Sequence, residues 1–388
     1  MKEKIVIIGA NDFQNQLIVK ARQQGFETHV FAWESGDVGE KTADYFYPIS
    51  IVEKNRILEV CRTIRPSGVC SIASDLAVKT VNYIADALGL VGNSIYSSEI
   101  STNKHLMREA FKSRKDPSPV SRLVTNFQDA LDEGMVYPLI VKPVDRSGSR
   151  GINKITDKSQ LEYAIKSAIQ QSFEGQALIE EFVTGKEYSV EGISQNGDHH
   201  ILAITEKFTT SEPHFIETGH MEPSGLSQPL FDKVCHVVTH ALDSLQIRNG
   251  ASHAEIKISE DDQVKIIEIG GRMGGDCIGS DLVYLSTGYD YINMVLEVAT
   301  GKPLRLERTG KHGCGYVHFV FAQKDINAYQ VALQKFPHNV YRANVGKPVS
   351  SEVICDSSMR YGYFILHTET REEMHKLLHI LEIELRDQ

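Results

Sequence analysis

The sequence predicts a mixed α/β protein: an N-terminal doubly wound α/β domain, an α+β region rich in strands, and a small C-terminal α/β unit. Three observations carry this. Short apolar runs alternate with helical patterns through about the first hundred residues, the signature of a parallel sheet with helices on both faces. At Pro117 and Pro119 the chain breaks, and beyond them strands follow one another across tight turns. From about Lys311 a last group of strands ends in one helix. The expected division is residues 1–100, 101–308 and 309–388.

Composition bounds the rest. At 388 residues the chain is long enough for two or three cores, and its 41% hydrophobic and 24% charged residues are those of an ordinary globular protein. A formal net charge of −10 without any Lys/Arg run argues against a nucleic-acid surface, so phosphate binding must depend on local basic residues. The six cysteines are scattered, with neither a CxxC pair nor metal-ligand spacing, and read as reduced thiols of a cytoplasmic protein. The apolar run after Lys4 is too short for a signal peptide, and no stretch approaches a membrane span.

The elements follow in order. Lys4–Gly9 reads as a buried parallel strand, followed by a helix Asp12–Gln24, a stop at Gly25 and a strand Phe26–Trp33. Ala43–Ile49, Lys54–Arg65, Gly68–Ala73 and Leu76–Leu88 continue as strand, helix, strand, helix. After the first strand stands Gly9-Ala10-Asn11-Asp12-Phe13-Gln14, with one glycine where a dinucleotide fingerprint needs three, which speaks against a nicotinamide cofactor. Ser74 and Asp75 lie where open α/β sheets place ligands; a plain turn explains them equally well. Ser101–Ser113 is expected as one helix carrying Lys104. Then come a strand Val120–Thr125, a helix near Gln128–Glu133, strands Leu139–Val144 and Ile152–Ile155, a helix Lys158–Gln171 and a strand Ala177–Val183. Strands Glu187–Ser194 and His200–Phe208 are joined by an Asn196-Gly197 hairpin turn. Thr209–Ser227 reads as a long polar loop, and Pro229–Gln246 and Tyr284–Thr300 as helices. The last unit should hold strands His312–Ala322, Val349–Cys355 and Tyr361–His367 and a helix Thr370–Leu381; it shows no chemistry of its own and is expected to act as a lid or homodimer element.

The chemistry concentrates in His253–Asp276. Two Ile- and Val-rich runs flank the polar turn Ser259–Gln263, a hairpin pattern. By strict alternation Glu255 shares a face with Lys257, and Glu268 with Ile266 and Gly270. A suitable register puts the two carboxylates side by side, where they repel unless a cation sits between them; Mg²⁺ needs only one or two carboxylates plus phosphate oxygens. Gly270-Gly271-Arg272-Met273-Gly274-Gly275-Asp276 then lets backbone approach a ligand around one guanidinium. The plainer alternative is a solvated hairpin with two surface acids and an Arg272–Asp276 pair holding the loop. Upstream, Val144–Gly151 offers backbone N–H groups and hydroxyls to phosphate, without being a P-loop. Lys142, between Val141 and Pro143 on an apolar strand, is costly to bury unless it meets an anion. The strand end at Glu180–Val183 suits a purine base, and Glu187 a ribose, although surface acids on a strand connection are the commoner case.

In order and spacing these pieces resemble the ATP-grasp superfamily, continuously from Lys104 to Arg272, with the flanking units fitting its three-domain plan. The resemblance implies that Lys104 and Lys142 hold ATP phosphates and that Ser147, Gly148 and Ser149 close over them. It implies adenine contacts from Glu180, Glu181, Phe182 and Val183, ribose binding by Glu187, and Mg²⁺ or Mn²⁺ held by Glu255 and Glu268. Many members read Glu-x-Asn-Pro-Arg where this chain reads Glu268-Ile269-Gly270-Gly271-Arg272, so a second metal would lean on Glu268, phosphates and water. That departure, with the segment Phe215–Ser224, is similar to the branch that joins L-amino acids into dipeptides. It implies that Glu217, His220 and Gly275 line an amino-acid site and that Arg272 orients the carboxylate and its acyl phosphate; His220 fits a loop-packing role equally. The expected activity is an ATP- and Mg²⁺-dependent ligase joining a small carboxylate to an amine, with Arg272 and Lys142 as catalytic residues. The alternatives are carboxylation or ligation of a purine-type or other metabolite, loading of a carrier-protein thiol, and a regulatory nucleotide-binding protein without turnover.

Overall fold

Buried on both faces, a parallel strand is apolar throughout. Strand β1 (Lys4–Ile8, KIVII) shows this, with Ile5 to Ile8 fully buried. It pairs in parallel with β2 (Glu27–Ala32) and β4 (Gly68–Cys70), and β2 pairs with β3 (Tyr45–Pro48), giving the order β3-β2-β1-β4. The computed structural model describes residues 2–130, 134–146, 148, 150–210, 216–310, 312–346 and 359–385. Ser147, Ser149, Glu133 and the strand expected at Val349–Cys355 lie outside the described residues.

One face of this parallel sheet packs on helices Lys54–Ile64 and Asp75–Leu88, through Ile57, Cys61, Ala77 and Ile84. The other face packs on Asp12–Gln23 and on Tyr291–Ala299, through Leu17, Ile18, Tyr291 and Val295. The same cluster includes Ile193 and Ala251 of the large sheet described below, so Tyr291–Ala299 is shared between the two sheets. The helix expected across Tyr284–Thr300 is broken: Val283–Thr287 ends at Gly288, whose φ of +77° is the left-handed conformation that stops a helix.

A second sheet is small and antiparallel. Strands β5 (Ser121–Val124), β6 (Leu139–Pro143), β7 (Asn153–Ile155) and β8 (Ala177–Glu181) run in the order β5-β8-β6-β7. Helix Leu161–Gln171 covers one face through Leu161, Ala164, Ile165 and Ala168.

The third sheet has eight described strands: β9 (Lys186–Gln195), β10 (Asp198–Thr209), β11 (Glu217–Glu222), β12 (Gly250–Ile258), β13 (Val264–Gly270), β14 (Cys314–Phe319), β15 (Val340–Val345) and β16 (Gly362–Thr368). They pair antiparallel in the order β13-β12-β9-β10-β11-β14-β16-β15, and helix Gln228–Ser244 buries Val234, Val238 and Leu242 against one end. The C-terminal strands thus continue the sheet that carries the hairpin.

Two sequence expectations change here. The polar loop Thr209–Ser227 contains β11, whose Met221 stands opposite Glu206 and whose His220 stands opposite Val317. Its sequence, ETGHME, hides the strand because its polar side chains bury against partners: Glu222 accepts hydrogen bonds from the hydroxyls of Thr205 and Ser286, each at 2.5 Å. The single helix Ser101–Ser113 is two, Ile95–Thr102 and Lys104–Arg114, separated at Asn103. The Asn103 side chain accepts from the backbone N–H of His105 and Leu106, an N-cap that makes Lys104 the first helical residue. Helix Gln323–Lys335 and strand β15 had no sequence expectation. Among the described residues no helix is long and apolar enough to cross a membrane.

Candidate active site

In the β12–β13 hairpin Glu255 stands directly opposite Glu268. The next pair is Ile256 with Ile266, so Ile267 is an extra residue, a bulge. The bulge corrects the simple alternation: Ile266 packs in the core with Ile256, while Ile267 and Glu268 line the cleft. Like charges directly opposite destabilise a sheet unless something compensates them. Here Lys207 of β10 donates to Glu255 Oε1 at 2.8 Å, and Lys104 donates to Glu268 Oε1 at 2.9 Å. Burial raises the Glu255 carboxyl, but Lys207 and the neighbouring His253 outweigh it and hold it well below the usual carboxylate range. Lys207 also lies 2.7 Å from Glu187 and 3.7 Å from Glu217; against the cost of burial, these acids keep its ammonium well above the ordinary lysine value.

His253, beside Glu255 at 3.7 Å, is held from behind by the fully buried Glu191. Burial lowers the imidazole, yet Glu191 more than offsets this and it is pushed up to about 9. The other Glu191 oxygen accepts from Gly274 N at 2.9 Å. A Cβ at Gly274 would collide with Glu191, and one at Gly270 would come within 2.9 Å of Asp75. Two of the four loop glycines therefore make room for protein side chains, where the sequence suggested room for a ligand.

Across the cleft, Lys142 of β6 meets an anion as its apolar strand demands, and the anion is Glu180 of β8 at 2.6 Å. A second cation, Arg108, stands 2.7 Å from the other Glu180 oxygen. All three side chains are at most 5% exposed. Burial alone would raise Glu180, but Arg108 and Lys142 hold it below the usual range; burial lowers Lys142 against the pull of Glu180. Lys104 Nζ also donates to Arg146 O at 2.6 Å, tying the helix start to the loop that contains Gly148. Glu181, Phe182, Val183 and Glu187 line the same cleft, with Lys154 Nζ 3.7 Å above the Phe182 ring. Gly148 lines it too, at φ +71°.

At the other end Arg272 forks onto Asp75, Nε to Oδ1 at 2.8 Å and Nη2 to Oδ2 at 3.1 Å. Its partner is thus the acid at the start of a helix of the first domain, not Asp276. Asp276 instead receives Arg360 Nη1 at 2.7 Å, and Arg360 Nη2 reaches Glu217 at 3.1 Å while stacking on Phe319. Burial would raise the Asp276 carboxyl, but Arg360 holds it far below its usual range. Glu217 and Arg272 line the cleft. His220 does not: it is 1% exposed, edge-on to Phe319, with Nε2 3.9 Å from Asp276. Gly275 also stays off the cleft wall, its α-carbon facing Ala73.

The sequence reading passed over Lys207, Arg108, Arg360 and the Glu191–His253 pair. Lys207 carried the signal that singled out Lys142, a lysine within a buried strand. Arg360 carried none, since only the sheet order brings β16 near β11. The donor set fits a hard divalent ion: two facing carboxylates, each with one oxygen held by lysine and, among the described residues, no hydrogen bond to the other.

Facing acids, buried lysines and a strand-end acid converge on one cleft between two antiparallel sheets, and residues 135–281 match the ATP-grasp domain family. The chain therefore carries an ATP-grasp domain. It is 27% identical over 275 residues to alanine–anticapsin ligase of Bacillus subtilis (strain 168), covering 62% of this chain and 58% of that protein. Dapdiamide A synthase of Enterobacter agglomerans is 26% identical over 239 residues, covering 58% of this chain and 55% of that one. The chain thus spans less than two thirds of the length of these relatives. Among solved structures, an L-amino acid ligase from Bacillus licheniformis superposes with a TM-score of 0.83 at 22% identity, covering 100% of this chain and 98% of that one. Phosphoribosylglycinamide synthetase from Anaerococcus prevotii gives 0.76 at 19% identity, covering all of both chains. At such identities the likeness is one of fold.

Proposed function

We propose that the protein is an ATP-dependent carboxylate–amine ligase acting on amino acids. The observation that carries this is the directly opposed pair Glu255 and Glu268 in one cleft with Lys104, Lys142 and Arg272. In the proposed reaction a substrate carboxylate oxygen attacks the γ-phosphorus of ATP, forming an acyl phosphate and releasing ADP. An amine then adds to the acyl carbon, and phosphate leaves with the C–O bond electrons and takes up the proton the amine loses. A magnesium ion held by Glu255 and Glu268 would neutralise phosphate charge. Lys104 and Lys142 bind and orient the phosphates, Glu181 to Val183 flank the base, and Glu187 takes the ribose. Arg272, always protonated and planar, faces the acyl phosphate oxygens. Glu217 receives the substrate ammonium. Positioning and charge supply most of the rate.

Two relatives support this branch by name, alanine–anticapsin ligase and a D-alanine–D-alanine ligase of Halorhodospira halophila, both ligases that act on alanine. The test is ADP release with amino acids offered singly and in pairs, with thiol and bicarbonate arms. Release that requires an amino-acid pair, with the joined product seen by mass, is expected. Release driven by bicarbonate or a thiol alone would replace this reading with a carboxylase or a loading enzyme.

A further inference from the structure

Behind the cleft wall, Arg108 takes part in none of the proposed contacts with ligand. Its side chain is 2% exposed, and it is absent from the residues that line the cleft. Nε stands 2.7 Å from Glu180 Oε1, opposite Lys142 at 2.6 Å on Oε2, and Nη2 donates to Ile267 O at 2.6 Å. One buried carboxylate thus has two cations. Ile267 is the bulge residue beside Glu268, so the same guanidinium ties the carboxylate to the metal-acid hairpin.

An even pair of Lys142 and Glu180 would be a poor phosphate site. Turning the lysine toward a phosphate would strand a buried carboxylate, which is strongly unfavourable. With Arg108 in place, Glu180 keeps a partner that cannot lose its charge. We infer that Arg108 is a positioning residue for nucleotide phosphates: it holds Glu180 permanently, so that Lys142 can exchange that carboxylate for a phosphate oxygen. This rests on the cleft being the ATP site.

The experiment compares ADP with adenosine by calorimetric titration of the full chain, because only ADP draws on Lys142. Arg108→Gln leaves Lys142 as the sole counter-ion of Glu180. It should weaken ADP about tenfold while leaving adenosine unchanged. Removing the acid as well, in Arg108→Gln/Glu180→Gln, releases Lys142. The ratio of ADP to adenosine affinity should then return to that of the wild type, whatever Glu180 contributes to the base. Arg108→Lys keeps the charge and should keep the ratio. Wild-type behaviour of Arg108→Gln, an equal loss for ADP and adenosine, or a double variant as poor as the single overturns the inference. Should Arg108→Gln not fold, the double variant and Arg108→Lys decide it: a lowered ratio in either overturns the inference. A wild-type chain that binds neither ligand removes the nucleotide reading, and this inference with it.

Discussion

On the proposed reading Arg272 has two roles, which a paired substitution can separate. Its fork holds Asp75 at 2.8 and 3.1 Å, with side-chain exposures of 17% and 23%. Burial would raise the Asp75 carboxyl, but Arg272 holds it below the usual range. Charged hydrogen bonds contribute about 1.5–3 kcal/mol each, and partial exposure puts this pair toward the lower end. In catalysis, removal of a donor aimed at a developing oxyanion costs about 10²–10³ in kcat, or about 2.7–4 kcal/mol. Arg272→Gln should therefore lose both stability and turnover. Asp75→Asn/Arg272→Gln, which leaves no unpaired acid, should regain most of the melting temperature and none of the turnover. ADP binding should remain close to wild type in both. Arg272→Lys should recover only part of the rate, because a point charge does not reproduce the fork. Differential scanning calorimetry and coupled ADP-release kinetics make the measurement. If the double variant turns over like the wild type, Arg272 only holds Asp75, and the acyl-phosphate assignment fails.

Glu268→Gln should abolish ATP turnover without loss of fold, seen as an unchanged circular dichroism spectrum; normal activity at saturating Mg²⁺ would remove the metal assignment. Glu217→Gln and Arg360→Gln should each raise KM for the amino acid and leave KM for ATP alone, since Arg360 fixes the Glu217 carboxylate at 3.1 Å; parallel changes in both constants would contradict this. Glu222, fully buried between two hydroxyls and, among the described residues, without an ion-pair partner, is raised by burial from 4.5 to about 7. A raised acid keeps its stability below the unfolded value and loses it as pH climbs to the folded one. Above pH 7 the loss is about 3 kcal/mol, so Glu222→Gln should melt higher than wild type at about pH 8 and not at about pH 4.

What was legible followed from local rules. Strand β1 announced itself because burial on both faces requires an unbroken apolar run, and the Asn196-Gly197 turn because both residues sit at positive φ. The carboxylate pair was legible as residue types, but the bulge at Ile267 that aims Glu268 was not, since alternation assumes an even register. Strand β11 was hidden because a buried strand need not be apolar when its neighbours supply hydrogen-bond partners. Pairings across long sequence distances were the least legible. Arg272 sits 197 residues from Asp75 and Arg360 sits 84 from Asp276, and nothing local in either sequence names the other.

These distant pairs share one feature: four of the cations that line the cleft are matched to acids from other segments. Lys104 pairs with Glu268, Lys142 with Glu180, Lys207 with Glu187 and Glu255, and Arg272 with Asp75. For these four cations, taking up a phosphate must be an exchange of partners. On the proposed reading, a ligand that brings only phosphates draws Lys104 from Glu268 and Lys142 from Glu180, and leaves Glu268 facing Glu255 without its lysine. One that brings phosphates together with a divalent cation also returns a counter-charge to Glu268. On the proposed reading, then, ATP should bind much more weakly without Mg²⁺ than with it. Glu268→Gln should narrow that gap from both sides, by weakening the complex with metal and relieving the repulsion without it. A gap of equal size in wild type and variant, measured by titration with and without chelator, would show that these acids do not sense the phosphates.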